Sequence, residues 1–289
     1  MLKNILLFSF IACLWACEMS VEEPDFRKTD MPYILCFISP TDTVYSATFN
    51  HFRRDFGQNE DLEAYNAKFQ KVKVFLTDGI DTLELKNKEN DKNVFSVKPA
   101  KLKVQRAGRY TLLIKMEDGN IANAVCVVPD KDVDYNSIQF IEQKPLNEFW
   151  NQIKMKAYIL RWDDPNPEKR NYYALHYTSV IRNKNTGKIE NNNGFYPSNV
   201  YGIEEGGSGK VITNVLQDFV LKSDYFGGKE VLNSIHCLNT DIHFYKYHKN
   251  LLALPLDPTP FEEPKDFYSN FNGNIKGTFG AYTNTSFYK

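Results

Sequence analysis

Apolar and polar positions alternate along most of this chain, in short runs separated by turn residues. "YILCFIS" (33–39) is a continuous apolar run that predicts a buried strand, and "VYSATFNHF" (44–52) alternates beside it. "KVKVFLTDGIDTLELK" (71–86) sets two alternating runs around Asp78-Gly79. That pair predicts a hairpin, because glycine supplies the positive φ of the turn. "VFSVK" (94–98) follows as a strand, and "GRYTLLIKMEDGNIANAVCVVP" (108–129) reads as a second hairpin turning at Asp118-Gly119-Asn120. "NEDLEAYNAKFQ" (59–70) is polar and predicts a turn of helix or an exposed loop. Beyond "DKDVDYN", strands are expected in "SIQFIEQ" (137–143), "WNQIKMKAYILRW" (150–162), "NYYALHYTSVIRN" (171–183), "VLQDFVLKSDYF" (215–226) and "EVLNSIHCLN" (230–239). In the second of these, Ile153, Met155, Ala157 and Ile159 share one face, with Lys154 and Lys156 on the other. "NNNGFYPSNVYGIEEGGSGK" (191–210) reads as a long polar loop. Thr240 or Asn239 is placed to cap a helix from Asp241 to Leu252. Short strands with turn signals between them predict an all-β chain: an immunoglobulin-like antiparallel sandwich over 33–130, then a second β-rich sandwich domain over 137–289 with one short helix.

The first residues follow a different pattern. Lys3 precedes an apolar stretch from Ile5 to Trp15, then Ala16 and Cys17. A basic start, a short apolar core and a small residue make a secretory signal over 1–16, too short for a bilayer span. A cysteine straight after that small residue resembles the bacterial lipoprotein signal, in which the thiol is alkylated with diacylglycerol and the preceding peptide bond is cut. Leu14 and Ala16 match it, and Trp15 is bulkier than usual. Cys13 would leave too short an apolar core. Cys17 is thus the expected lipidation site, residues 17–32 a flexible tether, and the plainer reading an ordinary cleaved signal with a chance cysteine. Glu18, Glu22, Glu23 and Asp25 resemble the acidic stretch that marks export to the cell surface. The expected location is the outer membrane, lipid-anchored and exposed at the cell surface, with a periplasm-facing position as the alternative. Stable anchoring takes two or more acyl chains, at about 0.8 kcal/mol per buried CH₂.

Charge and chemistry narrow the picture by exclusion. A net charge of −1 with no basic stripe argues against a nucleic-acid partner. Beyond Cys13 and Cys17, the cysteines Cys36, Cys126 and Cys237 sit in strand-like runs and read as buried thiols; a Cys36–Cys126 bridge stays open. "GGSGKV" (206–211) fails the phosphate-loop pattern, with Glu204 and Val211 where Gly and Ser or Thr are required. His236 and Cys237 are adjacent in a strand and point to opposite faces, while His243 and His248 lie about 140° apart on a helix. No metal site and no cofactor are expected. "WDDPNPE" (162–168) reads as turn chemistry rather than a calcium loop. Neither GxSxG nor HExxH is present, and no catalytic residue is assigned. Phe195, Tyr196 and Tyr201 are the candidates to stack on a ligand, with packing or an interface as their plainer role.

Several segments together resemble the lipoproteins grouped as domain of unknown function 4249. They are the Cys17 signal, "VKVFLTDG", "GRYTLLIKMEDG", "RWDDPNPEKRNYYAL", "SDYFGGKEV" and the ending "FEEPKDFYSNFNGNIKGTFGAY". In that ending Pro264, Tyr268, Ser269, Asn270, Gly273, Gly277, Phe279, Gly280 and Ala281 match, and the chain departs at Asn274 and Lys276. The resemblance implies an envelope lipoprotein with no assigned chemistry, of a kind often encoded beside TonB-dependent receptors. The expectation is a non-catalytic binding or interaction module, accessory to a TonB-dependent outer-membrane transporter in nutrient uptake. An envelope scaffold and a glycan or peptide hydrolase are the alternatives. The interaction reading predicts a large exposed apolar or aromatic patch, on the second domain.

Overall fold

The computed structural model describes residues 32–51, 71–88, 91–117, 119–143, 157–187, 189–192, 197–203, 209–212, 229–253, 268–273 and 275–288. The expected strand at 215–226 and the polar segment at 59–70 lie outside them. Among the described residues the architecture is all-β with one α-helix. In the first body β1 (Pro32–Ile38), β2 (Tyr45–His51), β3 (Lys73–Thr77), β4 (Thr82–Lys88), β5 (Asp91–Val97), β6 (Arg109–Lys115) and β7 (Ile121–Val127) follow the alternation in the sequence. β3, β6 and β7 bury every second residue, as a half-buried strand must. Both expected hairpins form, with Gly79 and Gly119 at φ of 94° and 84°. Asp78 Oδ1 accepts from the backbone of Ile80 and Asp81 at 2.9 and 2.8 Å, so a four-residue loop replaces a two-residue turn.

The sheet curls because β4 serves both layers. Its first residues pair with β3 and its last with β5, across a register shift between Asn87 and Lys88. The two layers close over one core that includes Ile34, Cys36, Phe49, Leu76, Phe95, Leu112, Ala124 and Cys126. Two tyrosine hydroxyls tie down the connection between β5 and β6. Tyr45 Oη accepts from Val104 N, and Tyr110 Oη from Gln105 N, each at 2.8 Å.

The second body contains β8 (Gln139–Gln143), β9 (Ala157–Asp163), β10 (Asn171–Asn183), β11 (Ile189–Asn192), β12 (Pro197–Ile203), β13 (Lys210–Ile212), β14 (Lys229–Thr240), α1 (Ile242–Leu252) and β15 (Lys276–Tyr288). β13, β9 and β8 form a small sheet that covers one face of β10 and β14. Trp162 and Tyr173 meet edge to face there, with ring centroids 5.6 Å apart. On β9 the inward set is Leu160 and Trp162. This is the opposite parity to the expected face ending at Ile159, because the large indole takes the core position. α1 covers the other face of β10 and β14, packing Phe244 against Ala174, Leu238, Phe37 and Tyr282. Two further expectations change. The 191–210 stretch read as a loop contains β12, which pairs with β10 from Asn171 to His176; a long partner strand supplies the pairing that local composition does not suggest. The helix cap is Asp241, not Thr240 or Asn239, since Asp241 has extended backbone and its Oδ1 accepts from Phe244 N at 2.8 Å.

β15 links the two bodies. From Tyr33 to Ile38, β1 pairs with β15 in parallel, an exception in an otherwise antiparallel sheet. From Tyr282 onward β15 pairs antiparallel with β14. Residues 276–281 therefore contribute Phe279 and Ala281 to the first core, although the sequence division placed them with the second body. Thr283 of β15 and Asn239 of β14 donate to Lys131 O, and Thr285 of β15 to Val133 O, so the inter-body segment is fixed against this pair of strands. Between β15 and β7 stands Asn270. Its Nδ2 donates to Val125 O and Phe279 O at 3.2 and 2.9 Å, and its Oδ1 accepts from Phe279 N at 2.9 Å. Asn123 and Asn272 exchange backbone bonds beside it. At Gly280 a β-carbon would lie 2.8 Å from Phe244 N, so glycine lets α1 start directly on the strand.

Burial gives two carboxyls on this joint unusual acidity. Asp241 is pushed up to about 7 by desolvation, against the backbone bond from Phe244 N. Asp42, bonded to Ser39 N and Tyr282 Oη, is pushed up to about 6 by desolvation. Both contribute stability that is fully present below the ordinary carboxyl range and lost as pH rises through the raised value. His248 has the opposite sign: burial pulls it down to about 4, so its contribution is lost as pH falls through that value.

Two measurements test the joint. Asn270→Ala leaves two buried carbonyls and an N–H without their partner, and urea unfolding should show a loss of about 2–4 kcal/mol. Asp241→Asn keeps a good cap and removes the buried charge. The variant should exceed the parent by about 1–3 kcal/mol at pH 8, and the gap should close as pH falls toward 4. A gap independent of pH would refute the assignment.

Candidate functional site

Cys17, Phe195 and Tyr196 lie outside the described residues. Tyr201 is in β12, in register with Tyr173 of β10. The sites drawn from motifs resolve into structural parts. Gly209 and Lys210 of "GGSGKV" lead into β13, and Gly209 O accepts from Asp164 N at 2.8 Å. In "WDDPNPE", Asp164 Oδ1 accepts from Asn166 N, Asn171 Nδ2 and Tyr173 Oη at 2.9, 2.9 and 2.7 Å. Asn166 Nδ2 donates to Asp130 Oδ1 at 2.6 Å, tying the turn to the inter-body segment. Cys36, Cys126 and Cys237 are free and buried. Burial pushes all three thiols up, so they are poor nucleophiles. Cys36 and Cys126 share the first core without a bridge.

The histidines separate as their spacing predicts. His248 points inward between Phe244 and Phe37, with ring centroids at 4.1 and 5.1 Å, and its Nδ1 donates to Phe244 O at 2.9 Å. His243 points away, its Nδ1 2.6 Å from Tyr268 Oη, and is pulled below its usual value by burial and then by Lys246. Strand pairing adds a contact that spacing alone did not reveal. His176 and His236 face each other across β10 and β14, with rings stacked at 5.6 Å. His236 Nδ1 accepts from Asn284 Nδ2 at 3.3 Å and meets Ser286 Oγ at 2.8 Å, and burial pulls this ring down too. Among the described residues no three His, Cys, Asp or Glu side chains are placed to hold a metal ion.

Two surface features remain. On the outward face of β7, Ile121 and Val127 are 55% and 46% exposed and flank half-buried Val125. The same face continues across β6 and β3 in the row Asn123, Leu113 and Phe75; Lys115, in register with Ile121, lies over the Phe75 ring at 5.4 Å, and Arg109 is in register with Val127. These residues lie on the first body; the aromatic positions Phe195, Tyr196 and Tyr201 of the second body, where a patch was expected, have no described side chains. In "IANAVCV" the inward set is Ala122, Ala124 and Cys126, and the outward set is apolar at Ile121, Val125 and Val127 with Asn123 among them. The other feature is the outer side of α1, which carries no acidic residue. Lys246 sits over the Tyr268 ring at 5.3 Å and Lys249 over Tyr245 at 5.4 Å.

Known structures similar to the chain include the crystal structure of chicken CNTN1 FN1-FN3 domains, at 9% identity and a TM-score of 0.23, covering 71% of this chain and 62% of that one. Trypsin-activated alpha-2-macroglobulin from Escherichia coli matches at 9% identity and Salmonella alpha-2-macroglobulin reacted with methylamine at 12%, both with a TM-score of 0.23 and 73% of this chain covered. The chain spans 14% of each of those two proteins. No curated protein matches it. The model of the family "Domain of unknown function (DUF4249)" matches residues 20–287, nearly the whole chain, and the protein belongs to that family.

Proposed function

We propose that this protein is a lipid-anchored envelope lipoprotein that acts as a non-catalytic interaction module, accessory to a TonB-dependent outer-membrane transporter. The observation that carries the reading is the group of apolar side chains Ile121, Val125, Val127, Leu113 and Phe75, half-buried or exposed on one sheet face around Asn123 and bordered by Lys115 and Arg109. An apolar strip on a regular, rigid β face suits a protein partner, because no side chain need be reordered to present it. The signal and Cys17 support the anchor. The first described strand begins at Pro32, fifteen positions after Cys17, so the tether reaches at most about 50 Å. Such a module would use its body to hold or gate the transporter during capture of a nutrient.

The test is extraction of the native protein in mild detergent and identification of what accompanies it. A stoichiometric TonB-dependent receptor is expected, lost with Cys17→Ala. Ile121→Lys with Val127→Lys should reduce the receptor recovered at least tenfold, with folding stability changed by no more than about 0.5 kcal/mol as is usual for exposed positions. A protein that comes out alone and monomeric overturns the reading. Other envelope components in place of a transporter would make it a scaffold.

A further inference from the structure

We infer that the outer side of α1 is the face this protein lays on an anionic membrane surface, by contact of its lysines with lipid phosphates. The inference rests on the anchored reading above and adds an orientation to it.

Charge and position carry it. Lys246 and Lys249 are exposed one turn apart on a helix that contains no acidic residue to neutralise them. Each ammonium lies over a tyrosine ring, Tyr268 and Tyr245, and both phenols are half-buried. Lysine with tyrosine is the pairing favoured at a membrane interface, where the ring sits at headgroup level and the ammonium reaches phosphate. Lys276 is exposed and has the same parity on β15 as Thr278 and Gly280, which face Tyr33 and α1.

The tether leaves the fold at this face. Tyr33, one residue into β1, stacks on Tyr247 of α1 at 6.2 Å and donates its hydroxyl to Tyr268 O. The residue under Lys246 is therefore bonded to the start of the first strand. A chain held at Cys17 and entering the fold beside α1 leaves this face free to meet the bilayer, and the lysines then select it. The tether raises the local concentration of surface for the lysines, so two cations are enough to orient a body that acyl chains already hold. A protein partner would call for a shape-complementary apolar centre, which lies on β7 and not on α1.

The intact lipoprotein, reconstituted into nanodiscs of phosphatidylcholine alone or with about a third phosphatidylglycerol, is treated with an amine-acetylating reagent. Lys246 and Lys249 should be modified about tenfold more slowly in the anionic discs, given the strength of lysine attraction to an anionic surface. Lys101 and Lys103, on the loop between β5 and β6, should be unchanged, and high salt should abolish the difference. Lys246→Glu with Lys249→Glu should restore fast modification of Lys276. Equal rates in both discs, or equal protection of Lys101 and Lys103, would overturn the inference. Protection in the extracted native complex but not in anionic discs would also overturn it and assign the face to a protein. The mass of the Cys17 peptide is read in the same sample. An unacylated Cys17 with α1 still protected on anionic discs removes the anchor and leaves the face.

Discussion

A strand of 13 residues that leaves one neighbour halfway along must find hydrogen-bond partners for both halves, and β15 does so by belonging to both bodies. Buried peptide groups without partners cost as much as lost hydrogen bonds, so the path of this strand constrains everything beside it. Its first half completes the layer begun by β1 and its second half completes the layer of β14. The side facing β7 is met by a side chain, as the Asn270 amide offers one acceptor and two donors where a further strand would offer its backbone. Gly280 then removes the one β-carbon that would hold α1 off the strand. With β15 in place, the helix, the inter-body segment and both cores have fixed positions relative to one another.

The same joint has an electrostatic cost. Asp241 caps α1 from a buried position, and Asp241 N donates to Ala281 O, so the cap lies on the strand itself. One carboxylate oxygen receives the Phe244 N–H; the surroundings give the charge too little compensation, and desolvation prevails. Asp42 is in a similar position on the adjoining residue, held by the Tyr282 hydroxyl. The buried histidines oppose these two carboxyls in sign. Stability should vary less with pH than any one of these groups would suggest, since acid relieves the carboxyls while it charges the imidazoles.

Much of this architecture was legible from local pattern. The two hairpins, β10 to its last residue and the position of the helix follow from period-two alternation and from the Asp-Gly and Gly-Asn turns. What was not legible depends on partners far away in sequence. β12 has a loop-like composition and becomes a strand because β10 continues past it. The parity of β9 turned on where Trp162 fits, which is a property of the second core and not of the strand. The parallel β1–β15 pairing joins residues more than two hundred positions apart, and no local signal encodes it. For the candidate sites the pattern is similar. Spacing correctly kept His243 from His248, yet His176 and His236 meet only through the sheet register. The apolar positions on the outward face of β7 carry little local signal, because Asn123 stands among them and gives the strand the alternation of a solvated face.

The residues that carry the family resemblance coincide with the joint. Tyr268 O accepts from Tyr33 and Thr278, Ser269 Oγ accepts from Gly277 N at 3.0 Å, and Asn270 bridges β7 and β15. Gly273 has a φ of 102°, Phe279 is in the core, Gly280 admits the helix and Ala281 O receives the cap residue. Each has a task in joining the bodies, and none needs a ligand to explain it. As far as it is described, the matched part of this motif identifies an architecture and is silent about recognition, since the side chains of Tyr268, Ser269 and Asn270 all bond within the fold. Whatever distinguishes this protein's partner must lie on side chains that the joint leaves free. Beside the exposed Val44, Ile80, Tyr135, Ile141 and Leu252, the described surface offers two groups of such side chains, the outward face of β7 and the lysines of α1, one mainly apolar and one cationic. Being different in chemistry, they suit two different surfaces, a protein and a membrane, more readily than two parts of one.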